Sequence, residues 1–381
     1  MSRESLPLDG TDLGLAWFAK AIVGATFLLV LIGGHTTTSG AGMAFPDWPL
    51  SHGSLNPVGW WDDVMQRLEH GHRYMAEAVG LMIGVLCGWV WGSKWSVPLA
   101  LGGAGIIAFV SARLGLAKPL VVHAGLWSSV LIFSGVLLGG RGSERQRATR
   151  WLAYAAFLGV CIQAVLGGLR VINDPAGSAA GNATTATVFR VVHGCFAQIE
   201  LCLLVALATL LSPAWTRLRA TEERRGLQWL AWATGAAIFL QLLIGATMRH
   251  LGAGLAITTF PLVNGGWLPI AEDVFTQLNF AHTRIGAGLV AVLVVALFWK
   301  ALAEAGRERH IIRPAVLLLT LLLAQIAMGA FVIWGARPPI LTTLHVVNGA
   351  AVLATTLLLA LRASRGERGG LPTEQLREVS A

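Results

Sequence analysis

Hydrophobic residues in this 381-residue chain are gathered into long runs separated by short polar joints. Ten runs stand out, at about 16–35, 70–92, 97–116, 121–140, 149–170, 188–211, 227–247, 279–300, 314–335 and 343–361. Each approaches the roughly twenty residues that a helix needs to cross a bilayer. Backbone in hydrocarbon must satisfy its own hydrogen bonds, which helices do within one segment. The pattern therefore predicts an all-α polytopic membrane protein with about ten transmembrane helices. The stretch 17–32 follows Asp9 and Asp12 and lacks the pattern of a cleaved leader, so it is expected to stay as the first span.

Composition agrees. The chain is 55% hydrophobic and 13% charged, with mean hydropathy +0.65, which leaves too few polar residues to coat a soluble core. Basic residues sort the joints. Arg141, Arg145, Arg147 and Arg150, then Arg217, Arg219, Arg224 and Arg225, then Lys300, Arg307, Arg309 and Arg313 mark alternate joints, and Arg362, Arg365 and Arg368 mark the tail. The positive-inside rule then places both termini in the cytoplasm, with the chain multi-pass in the inner (plasma) membrane. The net charge of +8 belongs to these loops, and no nucleic-acid partner is indicated. Cys87, Cys161, Cys195 and Cys202 all fall within the runs, so they read as packing residues and not as a disulfide or zinc framework.

The chain repeats itself. Residues 40–57, GAGMAFPDWPLSHGSLNP, return as 252–269, GAGLAITTFPLVNGGWLP, with eight of eighteen positions identical at a constant offset of 212. FLLVLIGG (27–34) and FLQLLIGA (239–246) precede the two copies at the same offset. His72 then matches His282, offset 210; Gln163-x-x-x-Gly167 resembles Gln325-x-x-x-Gly329, offset 162; His193 matches His345, offset 152. The first half has thus gained 48 residues between His72 and Gln163. That is the length of a helical hairpin, and the runs 97–116 and 121–140 fill it. The expected architecture is two pseudo-repeated four-helix bundles (4+4) with an extra hairpin in the first half. Its parts are an N-terminal half, 1–226, with the insert at about 95–145, a C-terminal half, 227–362, and a cytoplasmic tail, 363–381.

Histidines carry the candidate chemistry. His72, His123, His193, His282 and His345 sit near the starts of runs that share one direction. A lone histidine at a span end is commonly interfacial, but four in duplicated positions point to a shared task. Ionisable residues in a membrane face a bundle interior, and imidazole is a common axial ligand of haem iron. The pairs His72/His193 and His282/His345 are each expected to clamp one haem. His123 has no counterpart and reads as structural or interfacial; His35, His52, His70, His250 and His310 read as solvated loop or edge residues.

The halves differ at one telling place. EHGHR (69–73) in the first half corresponds to NFAHT (279–283) in the second, so Glu69 stands where Asn279 does. Glu69 and His72 are three apart and share a helix face. One site with a carboxylate and one with an amide point to one reacting site and one holding or electron-transferring site. A helix-terminal acid favoured by the macrodipole is the competing account. Glu200, seven residues after His193, reads either as a proton path or as a partnered structural residue. Arg73, Arg170, Arg190, Arg249 and Arg284 lie where some can meet haem propionates.

GAGMAFPDWPLSHG, EHGHR, QAVLGGLRV with VVHGCFAQ, AHTRIGAG and TLHVVNGA, in this order over about 20–362 apart from the insert, resemble the haem A synthase family (the CtaA/Cox15 group). The resemblance implies an oxidoreductase that converts the C8 methyl group of haem O into the formyl group of haem A for haem-copper terminal oxidases. It implies Glu69 as the catalytic carboxylate and His72 and His193 facing the substrate haem, with haem iron as the metal. It implies haem b as cofactor on His282 and His345. Its partners would be haem O, haem O synthase, an electron donor, the lipid bilayer and further copies of the chain. Two departures stand out. Many members carry cysteines at the positions of Phe45 and Ser51, and the family gives no role to the inserted hairpin with His123. The residues also fit a di-haem membrane cytochrome passing electrons between quinol and a partner, which leaves Glu69 against Asn279 unexplained.

Overall fold

The computed structural model describes residues 10–92, 96–115, 118–138, 147–176, 181–221, 224–269, 273–306 and 308–366. Its helices are α1 (Gly10–Thr38), α2 (Val64–Val90), α3 (Ser96–Arg113), α4 (Lys118–Leu138), α5 (Arg147–Ile172), α6 (Ala183–Leu210) and the single turn α7 (Pro213–Thr216). They continue as α8 (Arg225–His250), α9 (Val274–Phe280), α10 (Ala287–Ala305), α11 (Arg309–Trp334) and α12 (Pro339–Ala363), with a π-helical turn, Ala281–Gly286, joining α9 to α10. Residue pairs β1 (Arg219–Ala220) and β2 (Arg365–Gly366) form one short antiparallel contact, which leaves the class all-α.

Eight helices are long and apolar enough to cross a membrane, counting 274–305 as one; α3 and α4 reach that mark only over shorter stretches among the described residues. The expected ten therefore resolve into eight full-length spans and a hairpin of 18 and 21 residues. Arg141, Arg145, Arg307, Arg368 and most of the tail, 367–381, lie outside the described residues.

Two spans begin earlier than their apolar runs. The Asp63 side chain accepts the Gln66 N–H at 2.8 Å, and the Asp273 side chain accepts from Phe275 and Thr276 at 3.1 and 3.0 Å. Both are N-caps, which satisfy helix donors otherwise left open, and they obey the same offset of 210 as the histidines. Hydrogen bonds from Thr276, then from Phe275, hold the exposed Asp273 carboxyl below its usual range. The early start places Glu69 in the second turn of α2, beyond the reach of the first-turn macrodipole account.

Contacts run α1 to α2, α2 to α5, α5 to α6 and α6 back to α1; a second circuit runs α8 to α10, α10 to α11, α11 to α12 and α12 back to α8. Ile22, Val79, Ile83, Leu86, Leu204 and Leu207 fill the first circuit, and Leu227, Ile238, Val294, Leu297, Ile311 and Leu359 the second. Leu201, Val205, Ala350 and Ala354 join α6 to α12 between them. The inserted helices α3 and α4 pack chiefly on each other and reach the first core through Ala100, Phe133 and Leu137. Outward-facing Trp17, Leu131, Trp229, Val292 and Leu323 give the apolar exterior that a bilayer solvates.

The repeated segments have the same backbone. Gly40 and Gly252 close α1 and α8 at φ 74° and 77°, a left-handed conformation that costs a residue with Cβ roughly 1–2 kcal/mol. His52 and Asn264 share φ 50°, both Trp48–Pro49 and Phe260–Pro261 are cis, and the bridges Ser51–Ser54 and Val263–Gly266 coincide.

Candidate functional site

Each of the four paired histidines lies over a glycine of a neighbouring helix. A Cβ at Gly33 of α1 would stand 2.6 Å from His72 Cε1, and one at Gly245 of α8 would stand 2.5 Å from His282 Cε1. A Cβ at Gly167 of α5 or Gly329 of α11 would stand 3.1 Å from Cε1 of His193 or His345. The two halves thus seat their rings alike, and bare backbone is what lets them fit. All four rings are half-buried, and all four Nδ1 atoms are buried without a hydrogen-bond partner among the described residues. His72 and His193 lie within electrostatic reach of each other, as do His282 and His345.

Among the described residues no three His, Cys, Asp or Glu side chains gather as a metal cluster. Pairs of imidazoles between helices suit an ion whose remaining ligands come from a macrocycle. Gln163 Nε2 donates to the His193 carbonyl at 3.0 Å, and Gln241 Nε2 donates to that of His282 at 2.7 Å. Gln325 Nε2 stands 3.3 Å from His345 Nε2. Leu29 occupies the first-half position matching Gln241, so the second site has an extra amide.

Glu69 is 4% exposed and both of its oxygens are engaged: Oε2 accepts the Phe45 N–H at 2.9 Å, and Oε1 accepts from Arg73 at 2.8 Å. Asn279, fully buried, instead donates to the Ala253 carbonyl at 2.9 Å and accepts from Thr283 at 3.2 Å. The chemistry of the side chains explains the difference. A carboxylate only accepts and turns to an N–H, whereas an amide also donates and turns to a C=O.

Arg73 fixes the first repeated loop, donating to the carbonyls of Phe45, Asp47 and Leu50 and to Ser51 Oγ at 2.8–3.1 Å. Arg284 grips the matching carbonyls of Thr259 and Leu262. Yet Arg284 is offset from Arg73 by 211, one more than the histidines before it. The π-helical turn absorbs that extra residue, Thr283, and returns the guanidinium to the same place. Arg170 and Arg337 are a second such pair: each stands against a repeat glycine, Gly42 or Gly254, from a sequence position that no single offset relates. Arg170 bonds the Gly42 carbonyl, and its buried Nε has no partner among the described residues. Arg190 pairs with Asp174, and Arg249 donates to Thr38 at 2.6 Å.

Several expectations change. His70 is buried and not solvated: its Nδ1 lies 2.9 Å from Ser51 Oγ, and its ring meets Tyr74 and Trp60 at 4.3 and 4.7 Å. Phe45, wholly buried, rests against His52 and His70 and under Arg73. His123 of the inserted hairpin meets the Trp48 ring, tilted, at 5.1 Å between centroids, and Trp48 lies where a Cβ on Gly168 would be. Glu200 has no partner on either oxygen among the described residues. The four cysteines are unpaired, as expected.

A helical membrane protein with two matched histidine pairs, made unequal by Glu69, is the class that this geometry defines. The profile of one family, described as cytochrome oxidase assembly protein (COX15-CtaA), matches residues 62–357, and the chain belongs to that family. It is similar to a heme A synthase of Symbiobacterium thermophilum, 29% identical over 80% of both chains. It is also similar to heme A synthases of a Bradyrhizobium species, 25% identical over 90% of this chain and 89% of the relative, and of Halalkalibacterium halodurans, 23% identical over 87% and 90%.

Proposed function

We propose that this chain is a haem A synthase, an oxidoreductase that turns the C8 methyl group of haem O into the formyl group of haem A for haem-copper terminal oxidases. The observation that carries this reading is the inequality of two otherwise matched histidine pairs, with Glu69 beside one and Asn279 beside the other. In this reading residues 1–226 form the substrate half, where His72 and His193 receive haem O. Residues 227–362 form the half whose His282 and His345 hold haem b. The glycine seats and the unpartnered imidazole nitrogens fit that group.

Haem iron, if held by these histidines, would supply the redox chemistry of the methyl oxidation. The chain's own residues orient and compensate charge. Glu69, fixed by Arg73 and the Phe45 N–H, would stabilise positive charge developing at the methyl carbon. Arg170, whose Nε has no partner among the described residues, is suited to a propionate of the substrate haem. Both termini face the cytoplasm of the inner membrane, haem O synthase delivers the substrate, and a separate donor or acceptor handles electrons.

The test is to express the chain with a source of haem O and extract the pigments. Haem A in the extract supports the reading. Bound haem b with no haem A would make the chain a di-haem electron-transfer cytochrome instead.

A further inference from the structure

Glu200 lies seven residues beyond His193 in α6, on a similar face and about 10 Å farther along the axis. It is 4% exposed. Its Oε2 occupies the space that a Cβ on Gly159 of α5 would take. In the second half, the offsets of 162 and 152 put Leu321 and Val352 at these two places; Val352 lies in the apolar core and Leu321 packs against it. One half therefore has a glycine and a carboxyl where the other has two packed aliphatic side chains.

Gln163 connects this carboxyl to the histidine level. It lies one turn from Gly159 on α5, its Nε2 donates to the His193 carbonyl at 3.0 Å, and its Oε1 is buried and unpartnered. Three acceptor oxygens thus follow one seam between α5 and α6, Oε1 of Gln163 and both oxygens of Glu200, with no protein donor among the described residues. Cys161, the ionisable neighbour within electrostatic reach, offers a weak S–H donor at most. An unpaired buried acceptor is destabilising, and an ionised carboxylate in hydrocarbon is more so. A carboxyl that carries its own proton, hydrogen-bonded to small mobile donors such as water, satisfies all three oxygens.

We propose that Glu200 is a proton-relay residue for the His72/His193 site. This rests on reading that site as the one where a methyl group is oxidised. Taking a methyl group to a formyl group removes protons along with electrons, and Glu69 has both oxygens engaged. In the relay, one oxygen of Glu200 takes up a proton as the other releases one, so the carboxyl ends each transfer as it began.

Two measurements on the full chain test this. Infrared spectra of wild type minus Glu200→Gln, in H2O and D2O, should contain a protonated carboxyl band that shifts on deuterium exchange. A missing band, or one that resists exchange, overturns the relay. Conversion of haem O to haem A should slow roughly 100-fold in Glu200→Gln with haem b content intact. The paired change Gly159→Leu with Glu200→Val, which copies the second half's packing, should be as slow; full rate in either variant also overturns the relay. If wild type itself yields no haem A, the reading of the site falls, and the infrared comparison still decides whether Glu200 exchanges a proton.

Discussion

Arg73 donates to Glu69 at 2.8 Å across one turn of α2, and the same guanidinium holds the carbonyls of Phe45, Asp47 and Leu50. The carboxylate and the first repeated loop are thus fixed by one side chain. Among the described residues no such pair forms at Asn279, where Arg284 meets Thr283 instead.

Glu69→Gln removes the charge while keeping shape. Turnover of haem O should fall about 10²–10³-fold, the loss typical for one preorganised electrostatic contact. Haem b content should not change, because Asn279 already occupies the matching place in that half. Pigment extraction with quantified haem A and haem b checks both; a normal rate would remove Glu69 from the reaction.

Gly245→Val should displace the His282 ring, since even a Cβ there stands 2.5 Å from Cε1. Overpacking of this kind costs about 1–3 kcal/mol. Haem b retention and its absorption spectrum should therefore suffer in Gly245→Val and remain normal in Gly33→Val, where only His72 is displaced. Equal loss of haem b in both variants would contradict the separation of the sites.

The inserted hairpin reaches the first loop through His123 on Trp48. His123→Ala should lower thermal stability by about 0.5–1.5 kcal/mol, the worth of one ring contact, with haem b retained. Trp48→Ala should do more, because Trp48 fills the space beside Gly168, next to the glycine that seats His193. A circular-dichroism melt of each variant decides; no change in either means that the hairpin does not brace the loop.

Phe45 and Ser51 hold the loop without sulfur, through the Ser51–His70 bond at 2.9 Å and the Arg73 contacts. Dithiothreitol should leave haem content and turnover unchanged. A loss of activity on reduction would mean that one of the four helix cysteines has a role that packing does not show.

Much of this was legible in the chain because hydrophobic runs and repeat offsets report directly on spans and on matched positions. The duplication found the histidines, and its FLLVLIGG, FLQLLIGA and QxxxG segments already contained the four glycine seats, whose purpose appears only when helices meet. Helix starts at Asp63 and Asp273 were hidden, since caps lie outside the apolar runs. The equivalence of Arg170 and Arg337 was hidden too, because a helix end and a turn can deliver guanidinium groups to one place from unmatched positions. His70 looked like an edge residue because its partners, Ser51, Trp60 and Tyr74, assemble only when the loop folds onto α2.

In the proposed function two similarly built histidine pairs have different tasks. Bound haem b, measured by reduced-minus-oxidised spectra of the purified chain, tests it most directly in His72→Ala, His193→Ala, His282→Ala and His345→Ala. Haem b should disappear in the last two and stay in the first two. Loss in all four, or in the first two alone, would contradict it.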